Sequence, residues 1–182
     1  MKESTFKKKR KRLFFRTFML LFMAGLVAFA IISSLNEEDA VIAKGEKAPN
    51  FQLNKFGTDE PVTLRSLEGK GVMLNFWATY CEPCKDEMPY MEEMYAEYKD
   101  KGVEILAINL DSTNIVVERF LDDYGITFPI LRDKKGQVMD LYQIGPIPTS
   151  IFISPEGEIV EQVKGELTLN KLEGYLQQIT PE

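Results

Sequence analysis

Two nearly continuous apolar runs constrain the fold more than any other feature of this chain. They are GVMLNFWA, residues 71–78, and VEILAINL, residues 103–110. A strand that is apolar on both faces must be covered on both faces, which is the pattern of parallel strands inside a layered α/β domain. Residues 82–100 lie between the two runs and read as a helix that stops near Gly102. TNIVVERFLDDYG follows as a second helix with Gly125 just past its end, then TFPIL as a short strand and GQVMDLYQI as a short helix. TSIFIS, PEG and EIVEQVKG read as strand, turn and strand, and TLNKLEGYLQQI closes the chain as an amphipathic helix. Upstream, NFQLNKFGTDEPVTL alternates apolar and polar residues around a glycine-containing turn and predicts a β-hairpin. The expected class is α/β, with a mixed sheet flanked by helices on both faces.

The chain has 182 residues, enough for one domain with a sizeable core and an appendage. The appendage is the N-terminus. Residues 17–35, TFMLLFMAGLVAFAIISSL, contain no charge, and as a helix they would reach about 28 Å, close to the ~30 Å hydrocarbon core of a bilayer. Lysines and arginines cluster before this run, and Glu37, Glu38 and Asp39 follow it, so the positive-inside rule puts the N-terminus in the cytoplasm. The expected organisation is a cytoplasmic basic tail over 1–16, a transmembrane signal-anchor over 17–35, a linker over 36–48 and an extracytoplasmic domain over 49–182. A signal peptide cleaved after Ala28-Phe29-Ala30 is the alternative, but its apolar core would be unusually long. Location at the cell membrane, facing outward, also allows disulfides to persist.

Charge and composition exclude several functions. The chain carries 22 Lys/Arg and 28 Asp/Glu; residues 1–16 take eight of the basic groups and one acid, leaving 14 basic and 27 acidic beyond them. An acidic body argues against a nucleic-acid partner. The absence of histidine removes Ser-His-Asp and Cys-His catalysis and the haem-attachment motif C-x-x-C-H. With only two cysteines and no histidine, no metal site is expected.

Those two cysteines, Cys81 and Cys84, stand where the first apolar strand passes into a helix. A sulfur there meets unpaired N–H groups and the positive end of the helix dipole, which favour a thiolate. Pro83 suits a first helical turn. Cys81, nearer the tip, is the expected attacking thiol, and Cys84 the resolving one, with the disulfide between them as the only redox group and no separate cofactor. A static disulfide is the plain alternative. On a helical wheel at about 100° per residue, Glu87 falls inside the apolar stripe of Met88, Met91, Met94, Tyr95 and Tyr98, while Asp86, Glu92, Glu93 and Glu97 fall outside it. Burial should raise its pKa and fit it to exchange a proton with Cys84, although most helix glutamates are simply solvated. Glu82 lies between the cysteines, where its charge should disfavour a thiolate and make the couple reducing, below about −200 mV; a plain first-turn acid is the alternative.

FWATYCEPCK resembles the active-site signature of the thioredoxin superfamily, and IPTSIF, residues 147–152, resembles its cis-proline loop. The resemblance implies a thioredoxin-like fold with Pro148 cis between Ile147 and Thr149, a loop beside the disulfide that pairs with substrate backbone, and Trp77 as the motif tryptophan. From the residues alone Pro148 reads equally as an edge-strand proline. The superfamily places a buried aspartate two residues before that tryptophan; this chain has Asn75, which cannot take a proton, leaving Glu87 as the candidate for that task. More of the chain is similar to the ResA-type, TlpA-like branch: the anchor, GEKAPNF, the C-E-P-C motif with its later glutamate, PIPTSIFISPEG, and the βα insertion spanning VEILAINLDSTNIVVERFLDDYGITFP. That branch implies an oxidoreductase that reduces the C-x-x-C-H disulfide of apocytochrome c during cytochrome c maturation, with electrons from a CcdA-type membrane partner. A different disulfide client, a thiol peroxidase (GEKAPNF also resembles peroxiredoxins) and a non-enzymatic apocytochrome- or haem-holding module are the rival readings.

Overall fold

The computed structural model describes residues 15–27, 42–58 and 60–182. The chain divides into two units, Met1–Asp39 and Ala40–Glu182. In the first, residues 15–27 form a helix, α1, with exposed side chains. Among the described residues no helix is long and apolar enough to cross a membrane. The expected anchor over 17–35 is thus helical as far as residue 27; its remainder, residues 1–14 of the basic tail and residues 36–41 of the linker lie outside the described residues.

The second unit is built on a five-stranded mixed sheet. Its strands are β3 (Gly71–Trp77), β4 (Val103–Asn109), β5 (Ile130–Arg132), β6 (Thr149–Ile153) and β7 (Ile159–Lys164), ordered β5-β4-β3-β6-β7. β3 runs parallel to β4, and β4 to β5, whereas β6 is antiparallel to β3 and to β7. The expected N-terminal hairpin is a separate pair, β1 (Gln52–Asn54) and β2 (Pro61–Thr63). The helices are α2 (Glu82–Tyr98), α3 (Asn114–Tyr124), α4 (Gln137–Leu141) and α5 (Leu169–Ile179).

Every residue of β3 is buried, as its sequence demands of a central strand. Alternation along it divides the core. Met73 and Trp77 join α2, α3 and α5 on one face, with Met88, Met91, Phe120, Leu172 and Leu176. Val72, Leu74 and Phe76 join the other, which the hairpin (Phe51, Leu53) and α4 (Val138, with Tyr142 just beyond it) cover. The second face is therefore closed as much by the hairpin as by helix. Gly102 and Gly125 end their helical segments in the left-handed region, at φ 85° and 63°, where a side chain would be strained.

Two predicted elements move. β5 begins at Ile130, not Thr127, because Thr127 is taken by the Glu92 carboxylate, which accepts from its amide at 2.8 Å and from its hydroxyl. α4 ends at Leu141, and Gln143 just beyond it has φ 50°. Gly71 opens β3 against the end of α5: a Cβ there would stand 2.0 Å from the Ile179 carbonyl oxygen.

Candidate functional site

The site begins where β3 ends. The chain turns through Ala78–Cys81, closed by the Cys81 amide donating to the Ala78 carbonyl at 3.2 Å, and α2 starts at Glu82. Cys81 is the N-cap of α2, with extended backbone (φ −94°, ψ 105°), and its sulfur accepts the Cys84 N–H at 3.3 Å. Pro83 lies in the first turn, where its missing N–H leaves no helical bond unmade. Cys81 and Cys84 are joined as a disulfide. Cys81 keeps 8% of its surface open and Cys84 none, so only Cys81 is presented to an approaching group.

Glu87 lies one turn beyond Cys84 on the buried face of α2 and is fully buried. Its Oε1 accepts from Asn75 Nδ2 at 2.7 Å and its Oε2 from the Leu167 amide at 2.9 Å. Burial pushes its carboxyl from 4.5 up to about 7; the Leu167 and Asn75 donors pull the other way, and the Glu166 charge adds to the rise. These donors explain how a carboxylate persists there at all, since an unpaired buried charge would cost far more.

Asn75 owes its place to strand alternation: it lies two residues from both Met73 and Trp77, on the α2 face of β3. Its cross-strand neighbour is Ser150, and Nδ2 also donates to the Ser150 hydroxyl at 3.1 Å. One amide thus joins the carboxyl of α2 to the strand that follows the proline loop. The Ile147–Pro148 bond is cis. Thr149 pairs with Phe76, so the loop ends beside the last residues of β3, at the same end of the sheet as Cys81. The Thr149 hydroxyl donates to the Pro146 carbonyl at 2.7 Å, and the Pro148 carbonyl accepts from Gly165 at 2.9 Å. Ile147 packs against the cluster that contains both cysteines and Trp77. Trp77 is fully buried, its ring 4.9 Å from that of Phe120.

Glu82 is exposed, and Lys85 Nζ donates to its carboxylate at 2.8 Å. The pairing holds the Lys85 ammonium above its ordinary pKa and offsets part of the charge that Glu82 would set against a thiolate. Sequence reasoning gave the proton to Glu87 because Asn75 cannot take one, without linking the two residues; the fold bonds them to each other. It also missed Ser150 and the Leu167 amide. A serine inside the apolar strand TSIFIS was the one available signal, whereas a backbone donor leaves none.

A disulfide at a helix N-terminus, one sulfur partly open and an acid of near-neutral pKa beneath, suits two-electron exchange between this pair and a second thiol-disulfide couple. The profile of the AhpC/TSA family matches residues 44–162. The thiol-disulfide oxidoreductase ResA of Oceanobacillus iheyensis is 54% identical across 97% of this chain and 93% of its own. That of Bacillus subtilis is 41% identical across 96% and 97%. Among solved structures, StoA from Bacillus subtilis is similar over 75% of this chain and 98% of its own, with TM-score 0.62 and 31% identity. The thioredoxin domain of a thiol-disulfide oxidoreductase from Bacteroides vulgatus is similar over 74% and 98%, with TM-score 0.63 and 28% identity. The chain has the thioredoxin-like fold, belongs to the AhpC/TSA family and is a thiol-disulfide oxidoreductase of the ResA type.

Proposed function

We propose that this chain reduces the C-x-x-C-H disulfide of apocytochrome c outside the cytoplasm, before haem is attached. Residues 17–35 anchor it in the cell membrane with the N-terminus inside, residues 36–48 link anchor to domain, and a CcdA-type membrane partner supplies electrons. The buried carboxyl beneath an N-cap sulfur that keeps a small opening to solvent carries the reading, because it fits a couple that works by thiolate attack at neutral pH.

In the reduced enzyme the Cys81 thiolate attacks one sulfur of the client disulfide. One client thiolate leaves, and a mixed disulfide forms. Cys84 gives its proton to Glu87 and attacks Cys81; the second client thiolate leaves as the Cys81–Cys84 bond closes. Two electrons have moved to the client, whose two thiolates take protons from water and end as a dithiol. The membrane partner's dithiol then reduces the Cys81–Cys84 bond by the same steps in reverse, and Glu87 returns the proton. Ile147, Pro148 and Thr149 border the client's path, and the backbone of Ile147, just before the strand, pairs with its chain.

Cys84→Ser in the full chain should accumulate a mixed disulfide through Cys81, visible as a thiol-sensitive band that contains apocytochrome c. Deleting the protein should remove covalent haem from c-type cytochromes, and strains with normal cytochromes would sink the client assignment. The AhpC/TSA match favours a second reading, thiol peroxidase. Cys81 and Cys84 sit one helical turn apart and already bonded, a pairing suited to a dithiol reductant. Rapid turnover of hydrogen peroxide by the reduced chain would revive that reading.

A further inference from the structure

We propose that Asp111 is a positioning residue for the Cys81 sulfur and acts through Thr79. The inference rests on Cys81 as the attacking thiol. The turn Ala78–Cys81 is closed by a single backbone bond of its own. Thr79 supplies the rest. Its amide donates to Asp111 Oδ2 at 2.8 Å, and its hydroxyl donates to Asp111 Oδ1 at 2.7 Å. Both oxygens of one carboxylate accept from one residue, two places before the nucleophile. Charge-assisted hydrogen bonds of this kind are shorter and stronger than neutral ones, and a forked pair also fixes direction.

Asp111 is itself held from behind. It is 5% exposed. Asn109 Nδ2 donates to its Oδ2 at 2.8 Å, and its own amide donates to Asn109 Oδ1 at 3.1 Å. The Arg132 guanidinium, at the end of β5, donates to Asn109 Oδ1, and to the Asp111 carbonyl at 2.7 Å. The Leu110 amide donates to the Trp77 carbonyl at 3.0 Å and ties the same segment to the end of β3. The turn carrying Cys81 is therefore fastened to the ends of β4 and β5 and not only to the helix it caps. The fastening keeps the sulfur over the first turn of α2, where the Cys84 N–H and the helix dipole favour a thiolate.

Two effects of Asp111 on that thiolate have opposite signs, which makes the inference decidable. The carboxylate charge alone opposes a nearby thiolate, as do Glu82, Asp86, Glu87 and Glu166, with Lys85 acting against them. The fastening favours it. Asp111→Asn keeps the volume, removes the charge and replaces the charge-assisted pair by weaker neutral hydrogen bonds, the Thr79 hydroxyl turning to accept from the new amide. Thr79→Val keeps the charge and the amide bond and removes only the hydroxyl.

The test uses the reduced full chain in detergent, with oxidised glutathione as the disulfide. The rate of exchange and the pH midpoint of Cys81 alkylation by iodoacetamide are measured, alongside thermal unfolding. Thr79→Val should slow exchange about fivefold, the worth of one hydrogen bond, and move the midpoint upward. Thr79→Ser should restore both, and Asp111→Asn should also move the midpoint upward. A midpoint that falls in Asp111→Asn would reduce the residue to its charge and overturn the fastening. So would an unchanged rate or midpoint in Thr79→Val, or a Thr79→Ser variant as slow as the valine. If Asp111→Asn fails to fold, the two Thr79 variants decide alone. Cys81→Ser should be inactive in the same assay; exchange surviving in it would overturn the reading of Cys81 itself, whereas inactivity beside a wild-type Thr79→Val removes the fastening only.

Discussion

Glu87→Gln should flatten the pH dependence that a buried carboxyl imposes on both stability and exchange. Burial raises this group from 4.5 to about 7 in the folded chain. Between those values the folded state binds more protons than the unfolded one, so stability falls as pH rises through that window. A pKa rise of this size corresponds to about 3 kcal/mol, present in full below the unfolded value and lost by the folded one. Urea unfolding of wild type and variant at pH 5 and pH 8 should show the difference between them changing by an amount of that order. The amide nitrogen of glutamine cannot accept, so the variant leaves either Asn75 or Leu167 without its bond and loses some stability at every pH. Exchange near neutral pH should slow by about a hundredfold, the usual scale for loss of a general base. If the wild-type-minus-variant difference is the same at both pH values, Glu87 does not titrate in this window.

Gly71→Ala should be the most disruptive single methyl in the domain. The added Cβ would meet the backbone carbonyl of Ile179 at 2.0 Å, and neither β3 nor the end of α5 can yield cheaply. Overpacking against backbone costs about 3 kcal/mol or more, a large part of the stability of an ordinary domain. The effect should reach the site, because α5 begins two residues after Leu167, whose amide holds Glu87. Lower urea midpoints and a further rise of the Glu87 titration are the expected results. Gly174→Ala, within α5 and with nothing within 4 Å of its Cβ beyond its own stretch of helix, is the matched control and should stabilise by about 1 kcal/mol. Equal behaviour of the two variants would contradict the close contact at Gly71.

The parts of the site that were legible follow from local rules. Cys81 at the head of α2, Pro83 in its first turn and Glu87 on its apolar face are consequences of chain spacing on one helix. The cis bond before Pro148 came through the resemblance carried by IPTSIF and not from spacing. Less was visible wherever a partner comes from a distant element. Asn75 and Glu87 are twelve residues apart, Asn75 and Ser150 seventy-five, Glu87 and Leu167 eighty, and Thr79 and Asp111 thirty-two. The β5 boundary slipped for the same reason, since a carboxylate on α2 takes Thr127 away from the sheet.

The sequence by itself determined the α/β class, the order of the strands and helices, and which helix bears the two sulfurs. It could do so because apolar periodicity, helix caps and turn residues act over a few positions of chain. Only the tertiary structure decided what surrounds the sulfurs and the carboxyl beneath them. Pairing β3 with β6 put Ser150 opposite Asn75, packing α5 beside α2 brought a backbone donor to Glu87, and the end of β4 brought Asp111 to Thr79. Burial and hydrogen bonds depend on which segments meet in space, and a proton affinity is set by those meetings rather than by the residue's own neighbours in the chain.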